Sequence, residues 1–259
     1  MPCWSALVLA LLVAGFALGS PNVWWNGLNV PWDNFGMDIG TSERYNSTWF
    51  GSFYQQTEAN HINSVRFWVH CDGRGSPLFY SDGAVKGLSS TFLTDLQRAA
   101  KQAENANAVL LVTLFSFDMC NEETSAGTHI SLISDEAFTR SYLIKALRPM
   151  VQSLNDSKNV VWEVINEPEW CIKETPASTL HSVRLSQMQR FVSLITNEIH
   201  AHSSHKVTVG SASLKWNSDV LPAVGNWWKD TSLQYGASLD FYQSRFKPPK
   251  AGSPSKEAD

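Results

Sequence analysis

Six short apolar runs recur along this chain, separated by stretches with helical periodicity, and no other feature constrains the fold as strongly. The runs cover residues 23–29, 62–70, 108–116, 160–166, 206–213 and 238–243, and the helical segments between them include 49–60, 91–107, 135–154 and 179–202. Several runs are apolar on successive positions, as in Val109-Leu110-Leu111-Val112, where a sheet with one wet face would alternate. A strand of that kind is covered on both sides, as in a parallel sheet flanked by helices or in a barrel wall. The pattern predicts an α/β fold with a parallel sheet built from repeating βα units.

Composition narrows the class further. Of 259 residues, 43% are hydrophobic and 17% charged, with a formal net charge of -4, the make-up of a folded domain rather than of a disordered chain. The 20 Lys and Arg are scattered, so no basic stripe exists to attract a nucleic acid. The 11 Trp exceed what a core of this size uses as filler, and several are expected to line a cleft.

Residues 1–19 read as a signal peptide: the segment 5–18 is apolar and runs into Ala17-Leu18-Gly19-Ser20, with cleavage expected after Gly19. The run is shorter than the roughly 20 residues of a bilayer span. No Lys or Arg precedes it, so a buried helix or a retained anchor stands as the competing reading. With cleavage, the product is secreted, extracellular, free of the membrane and expected to be a monomer. The triplets Asn46-Ser47-Thr48 and Asn155-Asp156-Ser157 are glycosylation sequons. Loss of Cys3 would leave Cys71, Cys120 and Cys171, an odd number in an oxidising compartment. All three follow predicted strands two to four, so they should gather at the carboxyl ends of neighbouring strands, and Cys120 with Cys171 is the first choice for a bridge. Their spacing lacks the close pairs of a zinc site.

Chemistry concentrates after the fourth strand, where Val160-Val161-Trp162-Glu163-Val164-Ile165 leads into Asn166-Glu167-Pro168-Glu169-Trp170. That places a carboxylic acid where the βα loops of a barrel build active sites. A strand ending in Asn-Glu-Pro resembles the proton-donor motif of clan A glycoside hydrolases, above all family 5. Three further segments share the resemblance: Asn63-Ser64-Val65-Arg66-Phe67-Trp68, the first-strand stretch Gly27-Leu28-Asn29-Val30-Pro31-Trp32 with the following residues 34–40, and Ser213-Leu214-Lys215-Trp216. Secreted mannanases and cellulases are the members it is most similar to, and the similarity covers residues 23–243.

The resemblance implies a (β/α)8 TIM barrel and a retaining mechanism acting on β-1,4-linked polysaccharide, most readily mannan, with cellulose or another β-glucan as the alternative. It implies Glu167 as acid and base, Asn166 as holder of the sugar 2-hydroxyl, and Arg66 as support for the nucleophile. Trp32, His70, Trp170, Trp216 and Tyr242 become the expected sugar-binding positions. Each has a plainer reading beside it: Arg66 paired with a carboxylate below the site, Glu163 for example; the tryptophans in core or rim packing; His70 held by a structural hydrogen bond. No metal or organic cofactor is implied.

A retaining reaction needs two carboxylates about 5–5.5 Å apart, and the family takes the second from the end of its seventh strand. After Glu167 the chain offers Glu169, Glu174, Glu198 and Glu257, none in that position. The family's sixth strand ends in a His-x-Tyr segment, where this chain reads Phe241-Tyr242-Gln243. Residues 244–259 are rich in Lys, Pro, Ser and Ala and are expected to be disordered. The reading is therefore a barrel of about six of eight units spanning residues 20–243, with its first and sixth strands as open edges. It is either a hydrolase or a carbohydrate binder that does not cleave.

Overall fold

The computed structural model describes residues 25–30, 32–41, 44–121, 129–175, 180, 182–218 and 225–244. The expected signal peptide 1–19, Cys3, and the expected tail beyond Ser244 lie outside the described residues.

One curved sheet organises the molecule. Its strands are β1 (Gly27–Asn29), β2 (Ser64–Cys71), β5 (Val109–Ser116), β6 (Val160–Asn166), β7 (Lys206–Ser211) and β8 (Gln243–Ser244), side by side in that order. Every neighbouring pair is parallel, which requires a crossover segment between strands, and helices supply most of them. The α/β TIM-barrel type expected from the sequence is the fold observed, with β1 and β8 at the two edges of the sheet among the described residues. A small antiparallel hairpin, β3 (Leu78–Phe79) with β4 (Val85–Gly87), stands between β2 and the next helix; the sequence pattern gave no sign of it.

The helices form because their apolar positions repeat at helical spacing. In α1 (Ser47–Ala59), Phe50, Tyr54 and Thr57 are buried, and the Asn46 side chain accepts the Trp49 N–H at 3.1 Å to cap the first turn. In α2 (Phe92–Asn105), Phe92, Leu96, Ala99, Ala100 and Ala103 make a continuous buried stripe. Full burial of one such Phe or Leu is worth about 1.5–3 kcal/mol. After the short helix α3 (Ile130–Ser134), α4 (Glu136–Tyr142) passes through a π-helical turn, Leu143–Leu147, into α5 (Arg148–Ser153). The last helix, α6 (Leu185–His202), packs on β6 and β7.

Two boundaries differ from expectation for identifiable reasons. The sixth strand pairs at Gln243–Ser244 rather than over 238–243. Just before it, Asp240 accepts the Val207 N–H at 2.7 Å and the Phe241 carbonyl accepts the Thr208 hydroxyl at 2.9 Å, so side chains do the work of a ladder there. Helix α6 begins at Leu185 rather than at 179, because Ser182 and Val183 donate their backbone N–H groups to the Cys171 carbonyl. The first strand is only three residues long, and Val23 and Trp24 lie outside the described residues.

Cys120 and Cys171 form a disulfide with Cα atoms 5.8 Å apart, the pairing expected. It joins the segments that follow β5 and β6. Cys71 is a buried free thiol, pushed far above its ordinary pKa by burial.

Candidate active site

Two carboxyls on β6 and the turn after it define the centre of the curved sheet. Glu163 is fully buried. It accepts from Arg66 Nε at 2.7 Å and from Arg66 Nη2, and from the amide nitrogen Nε2 of Gln243 as well. Arg66 lies on β2 and Gln243 on β8, neither adjacent to β6, so these bonds cross the concave side of the sheet. Arg66 Nη1 also donates to Asn29 Oδ1 at 2.9 Å and Nη2 to Asn166 Oδ1 at 3.1 Å. One guanidinium thus gathers side chains from β1, β2 and β6, and Glu163 extends the network to β8. Arg66 therefore makes the carboxylate pairing that was the plainer of its two sequence readings.

Space for this network comes from a glycine. A Cβ on Gly210 would sit 2.4 Å from Glu163 Oε1, closer than any side chain tolerates. The same residue's carbonyl accepts the Glu167 backbone N–H at 2.6 Å. Gly210 thereby makes room for one carboxyl and anchors the other.

Glu167 sits at the carboxyl end of β6, only 3% exposed, in the left-handed backbone region with φ +48° and ψ +52°. That conformation is unfavourable for a residue with a Cβ and persists only where surroundings fix it. The following 3-10 turn, Pro168–Trp170, carries Trp170, whose indole Nε1 donates to Glu167 Oε2 at 3.1 Å. Asn166, almost fully buried, ends the strand beside it and faces Arg66. The three residues named for chemistry from the sequence, Arg66, Asn166 and Glu167, are brought together.

The expected sugar-binding residues separate into two groups. Trp32 is half-buried, edge-on to Phe35 at 4.8 Å and to Trp68 at 5.2 Å, and Arg66 lies over the Trp68 ring at 5.0 Å. Trp170 is half-buried against Glu167, and Tyr242 is exposed. The other two are corrected. His70 is completely buried among Phe92, Phe115 and Tyr142, with Nδ1 2.8 Å from the Ser76 hydroxyl. Burial pulls its pKa down to about 3, so it is a neutral core histidine rather than a surface ligand. Trp216 is 3% exposed, covered by Trp227 at 4.4 Å and by the Lys215 ammonium at 4.5 Å; it packs instead of facing solvent.

The sequence assigned no role to Asn29, Gln243 and Gly210, and Glu169 was weighed only as a second carboxylate. Glu169 is 2% exposed and accepts the Ala212 N–H at 3.2 Å; its position two residues past Glu167 was the only available signal. Among the described residues, no group of three or more His, Cys, Asp or Glu could hold a metal ion, and no helix is long and apolar enough to cross a membrane.

No protein-family model matches the chain. A mannan endo-1,4-beta-mannosidase of Cryptopygus antarcticus is 28% identical over 270 residues, covering 93% of this chain and 69% of that protein; the crystal structure of beta-1,4-D-mannanase from that organism superposes with a TM-score of 0.77 at 27% identity, over 86% of this chain. A mannan endo-1,4-beta-mannosidase of Mytilus edulis is 27% identical over 251 residues, covering 86% of this chain and 66% of that protein, and the X-ray structure of the blue mussel enzyme gives a TM-score of 0.76. A broad-specificity endoglucanase of the GH5-4 group, at 13% identity and a TM-score of 0.57, shares the fold. The chain spans about two thirds of the length of the two mannosidases.

Proposed function

From the premise that this chain has a glycoside hydrolase family 5-like fold and is homologous to mannan endo-1,4-beta-mannosidases, we propose that it is a glycosyl hydrolase that cleaves β-1,4-linked mannan, with Glu167 as acid and base. The observation that carries the reading is the placement of Glu167: buried at the carboxyl end of a parallel barrel strand, in a constrained backbone conformation, with an indole N–H on one carboxyl oxygen. A group so held can protonate a glycosidic oxygen and then take a proton from water. Asn166 beside it would hold the sugar 2-hydroxyl, Trp170 offers ring surface beside the acid, and Trp32 would offer more where it packs on Trp68. The disulfide Cys120–Cys171 supports formation in an oxidising compartment and hence secretion.

A second reading has its own support. Among the described residues, the carboxyls closest in sequence to Glu167 are already committed: Glu163 to Arg66 and Gln243, Glu169 to the Ala212 amide. A carbohydrate binder that does not cleave needs no further carboxylate. Reducing-sugar release from β-mannan and from carboxymethylcellulose, measured for the chain and for Glu167→Gln, separates the two. Hydrolysis lost in the variant supports the hydrolase; sugar binding without hydrolysis in either supports the binder; cleavage retained by Glu167→Gln overturns the assignment of Glu167.

A further inference from the structure

We propose that Glu169 is a positioning residue, which clamps the turn after β6 onto the rim of β7 and so fixes Glu167 and the Trp170 indole against each other. As a role in catalysis this rests on the hydrolase reading above; as a structural role it does not.

The geometry brackets Glu167. On its amino side, its own N–H is bound by the Gly210 carbonyl of β7 at 2.6 Å. On its carboxyl side, Glu169 Oε2 accepts the N–H of Ala212, the residue just after β7, at 3.2 Å. These two bonds tie the three-residue stretch Glu167 to Glu169 to one strand end at two points and hold Glu167 with its positive φ. Trp170, next in sequence after Glu169, delivers its N–H to Glu167 at 3.1 Å. Loss of the Glu169 anchor removes the side-chain tie to β7 from the segment that aims that indole, which its backbone turn bonds and the neighbouring Cys120–Cys171 bridge still hold.

A carboxyl is a costly choice for a buried clamp unless it is neutral. Burial is the main cause that pushes Glu169 up to about 7, the charge of Glu167 adds to it, and the Ala212 amide and Ser211 hydroxyl oppose it. The other element against this turn, the 3-10 turn Phe117–Cys120, carries Asp118, whose carboxylate is held by the Ser116 hydroxyl at 2.6 Å. The groups around Glu169 are therefore acidic or neutral. The raised value means that the folded chain holds this proton more tightly than the unfolded chain, so the stability tied to it is present at acidic pH and falls as pH rises through neutrality, while the Ala212 N–H bond itself favours the ionised carboxyl.

The test uses the full chain labelled with 15N-tryptophan, the Trp170 indole signal being assigned with Trp170→Phe. The wild-type signal is expected to move with pH with an inflection near neutrality. Glu169→Gln, which keeps the shape of the protonated acid, should leave the acidic-pH position unchanged and abolish that inflection. Glu169→Ala should displace the signal at every pH and, in a hydrolysing chain, lower kcat by about tenfold or more with KM little changed. An indole signal that ignores Glu169→Ala, or an inflection that survives in Glu169→Gln, overturns the proposal. If Glu169→Ala does not fold, the Glu169→Gln titration decides. Should wild type bind mannan without cleaving it while the indole follows Glu169, the clamp stands and the hydrolase reading falls alone.

Discussion

Glu163 and Glu167 lie four residues apart on one strand and its end, yet the protein treats them in opposite ways. Glu163 is saturated: a guanidinium, a carboxamide and the hollow left by Gly210 enclose it. Glu167 has a carboxyl oxygen turned to one indole N–H and sits in a backbone conformation that its neighbours must enforce. An ion pair inside the sheet fixes where strands lie, because breaking it leaves a charge stranded in low dielectric. A carboxyl at the strand end instead sits where the βα loops of a barrel present groups to a substrate. A buried acid is therefore not a catalytic acid by virtue of being buried; its place along the strand matters as well.

The largest expected effect tests the Glu167 side of the contrast. Glu167→Gln should lower mannan hydrolysis by roughly a hundredfold to ten-thousandfold, with a melting temperature close to wild type, since the amide keeps the shape. The matching change at Glu163 should do the reverse. A large stability loss in Glu167→Gln, with a small one in Glu163→Gln, would invert the comparison.

Next comes the ion pair itself. Arg66→Leu leaves Glu163 buried without its cation and should destabilise the fold by about 3–5 kcal/mol, read by urea unfolding. The double variant Arg66→Leu with Glu163→Leu removes both charges and should recover a good part of that loss, because a buried pair contributes little beyond the cost of leaving either member alone. A double variant no more stable than the single one would mean that Asn29, Asn166 and Gln243 depend on the charges for their own positions.

The two sides of the contrast were not equally legible in the sequence. Asn166-Glu167-Pro168 announced itself because it is contiguous, and the apolar run before it named the strand. The fold followed from six such runs, since a barrel wall needs little more than apolar residues at successive positions. The partners of Glu163 are spread over residues 29, 66, 166 and 243, and no periodicity links them; only the curvature of the sheet brings them together. His70 and Trp216 misled for a related reason. His70 lies near the end of β2 and Trp216 just after β7, where a ligand would bind, but Tyr142 from a later helix and Trp227 close over them, and a linear reading does not contain that cover.

Gly210 joins the two regions and gives the smallest expected effect. Its missing Cβ admits the Glu163 carboxyl, and its carbonyl fixes the Glu167 backbone. Gly210→Ala places a methyl where Glu163 Oε1 lies, 2.4 Å away, so the carboxyl or the strand must yield, at about 1–3 kcal/mol in stability. If the carboxyl yields, the Arg66 network loosens and hydrolysis is nearly unchanged. If β7 yields instead, its carbonyl moves with it and the acid is misplaced, so turnover falls by more than the stability loss alone would predict. Measuring unfolding free energy beside kcat in this one variant therefore shows whether the two carboxyls are mechanically coupled through β7 or merely share a strand.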